Sequence, residues 1–274
     1  MRWSVLCFLL SLLVSPAFGQ ERRPSHCIAL AEATPGIAYV QKASWRDAVP
    51  EDQVRIRYIT HASFLLQTSG GLNVVTDFTG FIGTAPVIPD VVTMNHAHDT
   101  HYTEFPDPAI PHVLRGWGSF GQGIDHHLDL GEMLIRNVST DIRSPYGGVE
   151  AEGNSIFVFE VGGLCIGHLG HLHHIPTPAQ YAALGRMDVV MAPVDGGRTL
   201  ALPEMITVLH RLRSSVVLPM HWFSDASLQR FLTGVGPVFD VKDTGESSLM
   251  ISLRELPVRP TVWVLRPEYL SAEE

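Results

Sequence analysis

Three imidazoles stand within six residues in His96-Ala97-His98-Asp99-Thr100-His101, directly after the apolar run Val91-Val92-Thr93-Met94-Asn95. Neutral imidazole is the commonest protein ligand for zinc and also suits iron, copper and nickel. Strand side chains alternate faces, so His96 and His98 can point the same way while His101 swings back from the turn that follows. A second cluster, His168, His171, His173 and His174, lies downstream, and His221 follows the apolar run 216–220. Three histidines around one ion with an open position are enough to activate water for hydrolysis. That chemistry requires the three sets to meet in space.

Each set ends a strand-like run, and buried strands that deliver polar residues at their C-terminal ends are the usual geometry of α/β active sites. Residues 20–53, with Pro24, Pro35, Gly36 and Pro50, show no sustained period and read as an extended leader lying on a domain that spans 54–274. That domain opens as a β-meander: Val54-Arg55-Ile56-Arg57-Tyr58-Ile59 alternates apolar and polar residues, 63–67 continues in strand-like composition, Gly70-Gly71 turns, and 72–77 follows. Short strands are expected at 91–95, 112–115 and 133–138. A hairpin across Gly162-Gly163 joins 155–161 to 164–166 and runs into the second histidine cluster. Thr177 is placed to cap a helix with Pro178 at its first position and Gly185 at its end. After a buried strand at 188–194, Met205, Ile206, Leu209 and Leu212 carry a helical period over 203–213. The strand 216–220 ends at His221, a short helix covers 225–232, and strands at 249–253 and 262–264 close the chain. Strands first and strand-helix alternation afterwards predict an α/β sandwich flanked by helices.

Met1-Arg2, an apolar stretch over 3–14 and the small residues Ala17 and Gly19 read as a secretory signal peptide over 1–19, so export to a periplasmic or extracellular space is expected, with no stable membrane anchoring after cleavage. Removal of 1–19 from 274 residues leaves 255, enough for a large hydrophobic core. The net charge of −9 and the lack of a Lys/Arg cluster argue against nucleic acid as a partner and leave a small-molecule substrate. Cys27 and Cys165 remain after cleavage and can pair in an oxidising compartment. Cys165 sits in the apolar Gly163-Leu164-Cys165-Ile166-Gly167, and the preferred reading is a small apolar core residue.

From Tyr58 to His221 the chain resembles the metallo-β-lactamase superfamily, especially its lactonase-like branch of metal-dependent hydrolases. The resemblance is carried in order by Ile59-Thr60-His61-Ala62-Ser63-Phe64-Leu65, Val75-Thr76-Asp77, the His-x-His segment, Asn154-Ser155-Ile156-Phe157, His168-Leu169-Gly170-His171-Leu172, the segment 187–194, and Leu218-Pro219-Met220-His221. It implies a four-layer αββα sandwich with one or two metal ions at the edge of the sheets. The departures are specific. In the family pattern H-x-H-x-D-H the Asp position is Thr100, with Asp99 one residue early; the bridging aspartate of H-L-G-D is His171; and 141–153 holds no histidine, with Arg143 near the expected place.

The ligand set this implies is His96, His98, His101, His171 and His221 around Zn2+, one ion being favoured over two, with iron or manganese as alternatives. Asp99 or His173 would act as the catalytic base, and His61, His168 and Asp195 would sit behind the ligands and orient them. Trp117 and Trp222 are read either as pocket walls or as core, and His112, His126, His127 and His210 as surface or packing residues. The function implied is an exported metal-dependent hydrolase that uses a metal-activated water on an ester, lactone, amide or phosphoester. The alternative is a metal- or ligand-binding protein on the same fold with little or no catalysis.

Overall fold

The computed structural model describes residues 22–29, 44–95, 99–119, 121–144 and 146–273. The expected signal peptide at 1–19, and with it His96 and His98, lie outside the described residues. The strands are β1 (Gln53–Thr60), β2 (Ser63–Thr68), β3 (Asn73–Val75), β4 (Val91–Met94), β5 (His112–Arg115), β6 (His127–Asp129), β7 (Met133–Arg143), β8 (Val149–Val161), β9 (Leu164–His168), β10 (Val189–Pro193), β11 (Val216–Met220), β12 (Asp240–Asp243), β13 (Ser248–Ser252) and β14 (Thr261–Val264). The helices are α1 (His26–Ala29), α2 (Pro178–Leu184), α3 (Leu202–Leu212) and α4 (Asp225–Val235).

The strands form two sheets, one ordered β13-β1-β2-β3-β4-β5 and the other β12-β14-β11-β10-β9-β8-β7-β6. Alternation on β1 explains how they stack. Val54, Ile56 and Tyr58 face inward and pack with Phe157, Phe159, Met191 and Leu218 of the opposing sheet, a layer fully withdrawn from water. The intervening Arg55 and Arg57 lie on the outer face and are still only 1% exposed. That outer face is covered among the described residues by irregular segments, with Trp45, Phe78, Ile82, Tyr102, Trp117 and Leu270 forming a separate apolar cluster. Trp117 is half-buried and packs against this cluster, its ring 5.5 Å from Tyr102.

Helices cover the other sheet. Met205, Val208 and Leu209 of α3 and Leu228 and Phe231 of α4 pack on Val190, Ala192, Val217 and Val262. The spacing of three and four residues places these side chains on one helical face. The start of α2 is fixed as its sequence implies: Thr177 Oγ1 accepts from Gln180 N at 3.2 Å, Gln180 Oε1 accepts from Thr177 N at 2.8 Å, and Pro178 occupies the first turn. The chain turns out of this helix at Gly185, whose positive φ of 71° suits glycine. β10 and β11 pair in parallel across α3, the arrangement that strand-helix alternation implies. Two strands, β6 and β12, were not expected. β12 is exposed along its whole length and pairs in parallel with β14, so no buried apolar residue marks it in the sequence.

The preferred reading of Cys165 is corrected. It is fully buried, but it is disulfide-bonded to Cys27, with 5.8 Å between Cα atoms. The partner is delivered by charge: Glu160 on β8 accepts from Ser25 Oγ and from His26 N, and Arg136 Nε donates to the same carboxylate at 2.8 Å. This docks the 22–29 segment beside β9. The other described part of the leader, around Trp45, lies on the opposite outer face, where Trp45 Nε1 donates to Ser271 O at 3.1 Å.

Candidate metal centre

The clusters meet where β1, β4, β9, β10 and β11 end. Ligand atoms of His61, His101 and His221 all lie within 4.8 Å of one another. The His171 ring stands beside them, its centroid 4.7 Å from that of His101 and 4.9 Å from that of His221. His61 was expected to sit behind the ligands, and the structure places it among them. Its ring is 4.1 Å from that of His221 because the tight turn after β1 projects it across the gap between the sheets.

Two of these histidines, His61 at φ 46° and His221 at 57°, and Asp77 at 43°, have a left-handed backbone on a residue other than glycine. Such conformations cost of order 1–3 kcal/mol each and tend to gather at functional sites. Specific hydrogen bonds hold the two histidine turns. His61 O accepts from His221 N and from Tyr58 Oη, both at 2.7 Å, so the two histidine-bearing turns are locked to each other.

The protonation pattern is set by two buried carboxylates. Asp77 Oδ2 lies 2.8 Å from His101 Nδ1, and its Oδ1 accepts from Asn95 Nδ2 at 2.6 Å. Burial by itself raises the Asp77 pKa, yet its surroundings hold it below the usual carboxylate range. His168, pushed towards the neutral form by its own burial, supplies little charge there, so the bonds from His101 and Asn95 carry the effect. Asp195 follows the same pattern. Burial is outweighed by bonds from His221 Nδ1 at 2.9 Å, Thr199 Oγ1 at 2.6 Å and the backbone of Gly197 and Thr199, which keep it well below the carboxylate range. An ionised carboxylate only accepts, so His101 and His221 each donate from Nδ1, which turns Nε2 of each ring into the cluster. Those two Nε2 atoms face each other at 3.2 Å.

Two ring nitrogens that face each other at that distance suit a cation held between them. Nitrogens each 2.0–2.1 Å from one tetrahedral zinc stand roughly 3.3 Å apart, so the pair fits a shared ion. Carboxylate, imidazole and metal in series is also the usual way in which such ligands are oriented.

His168 also lies behind the cluster. Its Nε2 donates to Ala62 O at 2.7 Å while its Nδ1 accepts from Gly170 N at 3.1 Å, tying the His61 turn to the opposite sheet. Gly170 has φ 60°, and a Cβ there would stand 2.4 Å from Asn154 Oδ1 and 2.7 Å from Asn95 Nδ2. Only glycine leaves room for these two asparagines, and the sequence reading did not give either a role. Asn154 Oδ1 accepts from His171 N at 2.9 Å, and Asn95 Oδ1 accepts from Ser155 N at 2.9 Å, so each fixes a strand end beneath the histidines.

The two expected bases fare differently from the ligands. Asp99 is exposed at the start of the short 3-10 turn Asp99–His101, outside the group of converging ligand atoms. His173 is pushed down to about 4 by burial and by the nearby Arg143 charge, so it is neutral at pH 7. Its Nδ1 accepts from Arg143 N at 2.7 Å, which leaves the proton on Nε2, 2.8 Å from His171 Nδ1. His173 thus orients His171, and in this arrangement neither of its nitrogens offers an open lone pair. Thr100, which stands where the family pattern has aspartate, places Oγ1 3.1 Å from His61 Nε2. A hydroxyl both donates and accepts, so it orients His61 in either tautomer.

The profile described as Beta-lactamase superfamily domain matches residues 55–221, from β1 through the last cluster histidine. A Thermotoga maritima protein designated a Zn-dependent hydrolase of the metallo-beta-lactamase superfamily superposes with a TM-score of 0.55 at 27% identity, over 77% of this chain and 98% of that one. The UPF0173 metal-dependent hydrolase of Methanospirillum hungatei is 26% identical over 187 residues, 62% of this chain and 83% of that protein. Its counterpart in Nanoarchaeum equitans is 22% identical over 185 residues, 62% of this chain and 84% of that protein. With two stacked sheets and histidines converging at their edge, this chain belongs to the metallo-β-lactamase superfamily and has its αββα sandwich fold.

Proposed function

We propose that the protein is an exported metal-dependent hydrolase that holds one zinc ion and cleaves an ester, lactone, amide or phosphoester bond of a small molecule, with no nucleic-acid partner and no membrane anchor. One observation carries the reading: His101 Nε2 and His221 Nε2 lie 3.2 Å apart, each on a ring whose Nδ1 is committed to a buried carboxylate. The relatives' designation as metal-dependent hydrolases supports it. The all-nitrogen donor set supports zinc, with iron or manganese as alternatives. The Cys27–Cys165 disulfide supports export, since such bonds persist in oxidising compartments.

His61, His101 and His221 would hold the ion, with His171 flanking it and His96 and His98 as further sequence candidates. A bound zinc ion lowers the pKa of water from about 15.7 towards about 7 and polarises a carbonyl or phosphoryl oxygen. The protein's own contribution is orientation. Asp77 and Asp195 keep the Nε2 atoms turned into the site, Thr100 orients His61, and the series from Arg143 N through His173 to His171 fixes the His171 ring.

A second reading, metal or ligand binding with little catalysis, rests on the lack of an available base. Among the described residues, Asp99 is exposed and away from the cluster, and both His173 nitrogens are engaged. Purified protein loaded with zinc, iron or manganese separates the two readings. Metal-dependent turnover in a panel of lactones, β-lactams and phosphodiesters is expected for the hydrolase. One tightly held ion with no turnover on any of them would favour the binding protein.

A further inference from the structure

From the geometry of the 195–199 loop we infer that Arg198 is a specificity-determining residue and that the substrate carries an anionic group, carboxylate or phosphate, in addition to the bond that is cleaved. The inference rests on the hydrolase reading of the histidine centre for its reaction, though not for its binding.

The loop is built from both sides. Asp195 Oδ1 accepts from the backbone N–H groups of Gly197 at 2.9 Å, Arg198 at 2.6 Å and Thr199 at 3.1 Å. On the other side, Arg143 Nη2 donates to the carbonyls of Gly197, Arg198 and Thr199. The Arg198 backbone is therefore held at both its N–H and its carbonyl. Asp195 also orients His221, so one carboxylate sets the position of Arg198 and of a ligand histidine together.

The side chain leaves this clamp towards the centre. Its guanidinium carbon lies 5.0 Å from the centroid of Phe223, within the range of a cation–π contact. The Phe223 ring is 58% exposed and stands 5.1 Å from the His221 ring and 5.5 Å from the His61 ring. Taken end to end, these separations put the guanidinium no more than about 10 Å from the His221 ring. A group bound there and a bond broken at the histidines belong to one small molecule.

Charge supplies the remaining step. The chain has 19 Lys and Arg against 28 Asp and Glu, and Arg198 is exposed with no salt bridge to any described carboxylate. An unpaired cation at the mouth of a site in an otherwise acidic protein attracts and orients anions that the rest of the surface repels. A guanidinium also matches the planar, bidentate geometry of carboxylate and phosphate.

The test uses metal-loaded full chain and three 4-nitrophenyl esters with the same acyl chain, ending in methyl, carboxylate or phosphonate. Arg198→Gln is expected to lower kcat/KM roughly 10- to 100-fold for the charged esters, mainly through KM, the size expected for loss of one charge-assisted hydrogen bond. The methyl-ended ester should change less than about twofold, and Arg198→Lys should restore part of the loss. The anion with the larger loss identifies carboxylate or phosphate as the natural group. Equal losses for charged and neutral esters, or no loss, would overturn the inference. If the wild type hydrolyses none of the esters, the hydrolase reading is judged on the lactone, β-lactam and phosphodiester panel and not on Arg198. Calorimetric binding of adipate and inorganic phosphate then decides Arg198: at least tenfold weaker binding by Arg198→Gln supports it, and equal binding, or no binding by the wild type, overturns it.

Discussion

His101 Nε2 lies 3.2 Å from His221 Nε2, while the Nδ1 atom of each ring is held by a buried carboxylate, Asp77 for His101 and Asp195 for His221. The centre is thus preset for a cation by two carboxylates that do not themselves enter the cluster. Replacing either acid keeps the side chain's size and removes the charge that fixes the tautomer. Asp77→Asn and Asp195→Asn are each expected to weaken zinc binding by about 10- to 100-fold. Competition with a chromogenic chelator measures this, and unchanged affinity in both variants would show that the carboxylates do not set the tautomers.

The His61 turn depends on a residue of the other sheet. His168 Nε2 donates to Ala62 O from a fully buried position, so His168→Leu would leave that carbonyl only the longer bond from Thr76 Oγ1 at 3.3 Å. A loss of about 1–3 kcal/mol of stability is expected. Denaturant unfolding reads this loss, and metal affinity should fall with it because His61 is no longer held in place.

The disulfide closes a long stretch of chain, with 138 residues of separation between Cys27 and Cys165. Restricting the unfolded chain over such a loop is worth about 2–5 kcal/mol. Cys27→Ser together with Cys165→Ser should lower Tm, and dithiothreitol should lower the wild-type Tm while leaving the double variant unchanged.

Glu160 gives a pH dependence of stability remote from the metal centre. Burial raises its pKa, but bonds from Ser25 and Arg136 and the charges of Arg136 and His26 outweigh burial and hold it below its ordinary value of 4.5. A group whose pKa is depressed in the folded state stabilises fully above the unfolded value, and that stabilisation is lost as pH falls through the folded value. Stability is therefore expected to fall as pH drops below about 4.5, with protection of the 22–29 segment lost first. Glu160→Gln should remove this part of the acid slope. It should also cost about 3 kcal/mol at neutral pH, since it leaves Arg136 buried without its counter-charge. Melting curves from pH 3 to 7 check both effects.

Much of the scaffold was legible because it depends on neighbours in sequence. Alternation marked β1, the helical period marked α3, and Thr177 with Pro178 marked the start of α2, each through contacts made within a few residues. β12 was missed because an exposed edge strand has no apolar pattern to reveal it. Cys165 was misread for the opposite reason: an apolar, buried strand is what the sequence implies, and it is also what surrounds the disulfide.

The sequence by itself determined that histidines end several strands, that Asp195 stands beside the loop after β10, and that two family carboxylates are replaced by Thr100 and His171. Residue types and strand periodicity suffice for these points, since they concern which atoms are available and roughly where each strand delivers them. The tertiary structure decided which atoms converge. It brought His61 into the cluster, left Asp99 exposed, turned His173 into a support for His171, and set Asn95 and Asn154 beneath the histidines around Gly170. Those outcomes depend on two sheets meeting at their edges and on the direction of single hydrogen bonds between residues far apart in the chain, such as His61 with His221 and His101 with Asp77. No local pattern encodes such a direction, because it is fixed only when both partners are already in place.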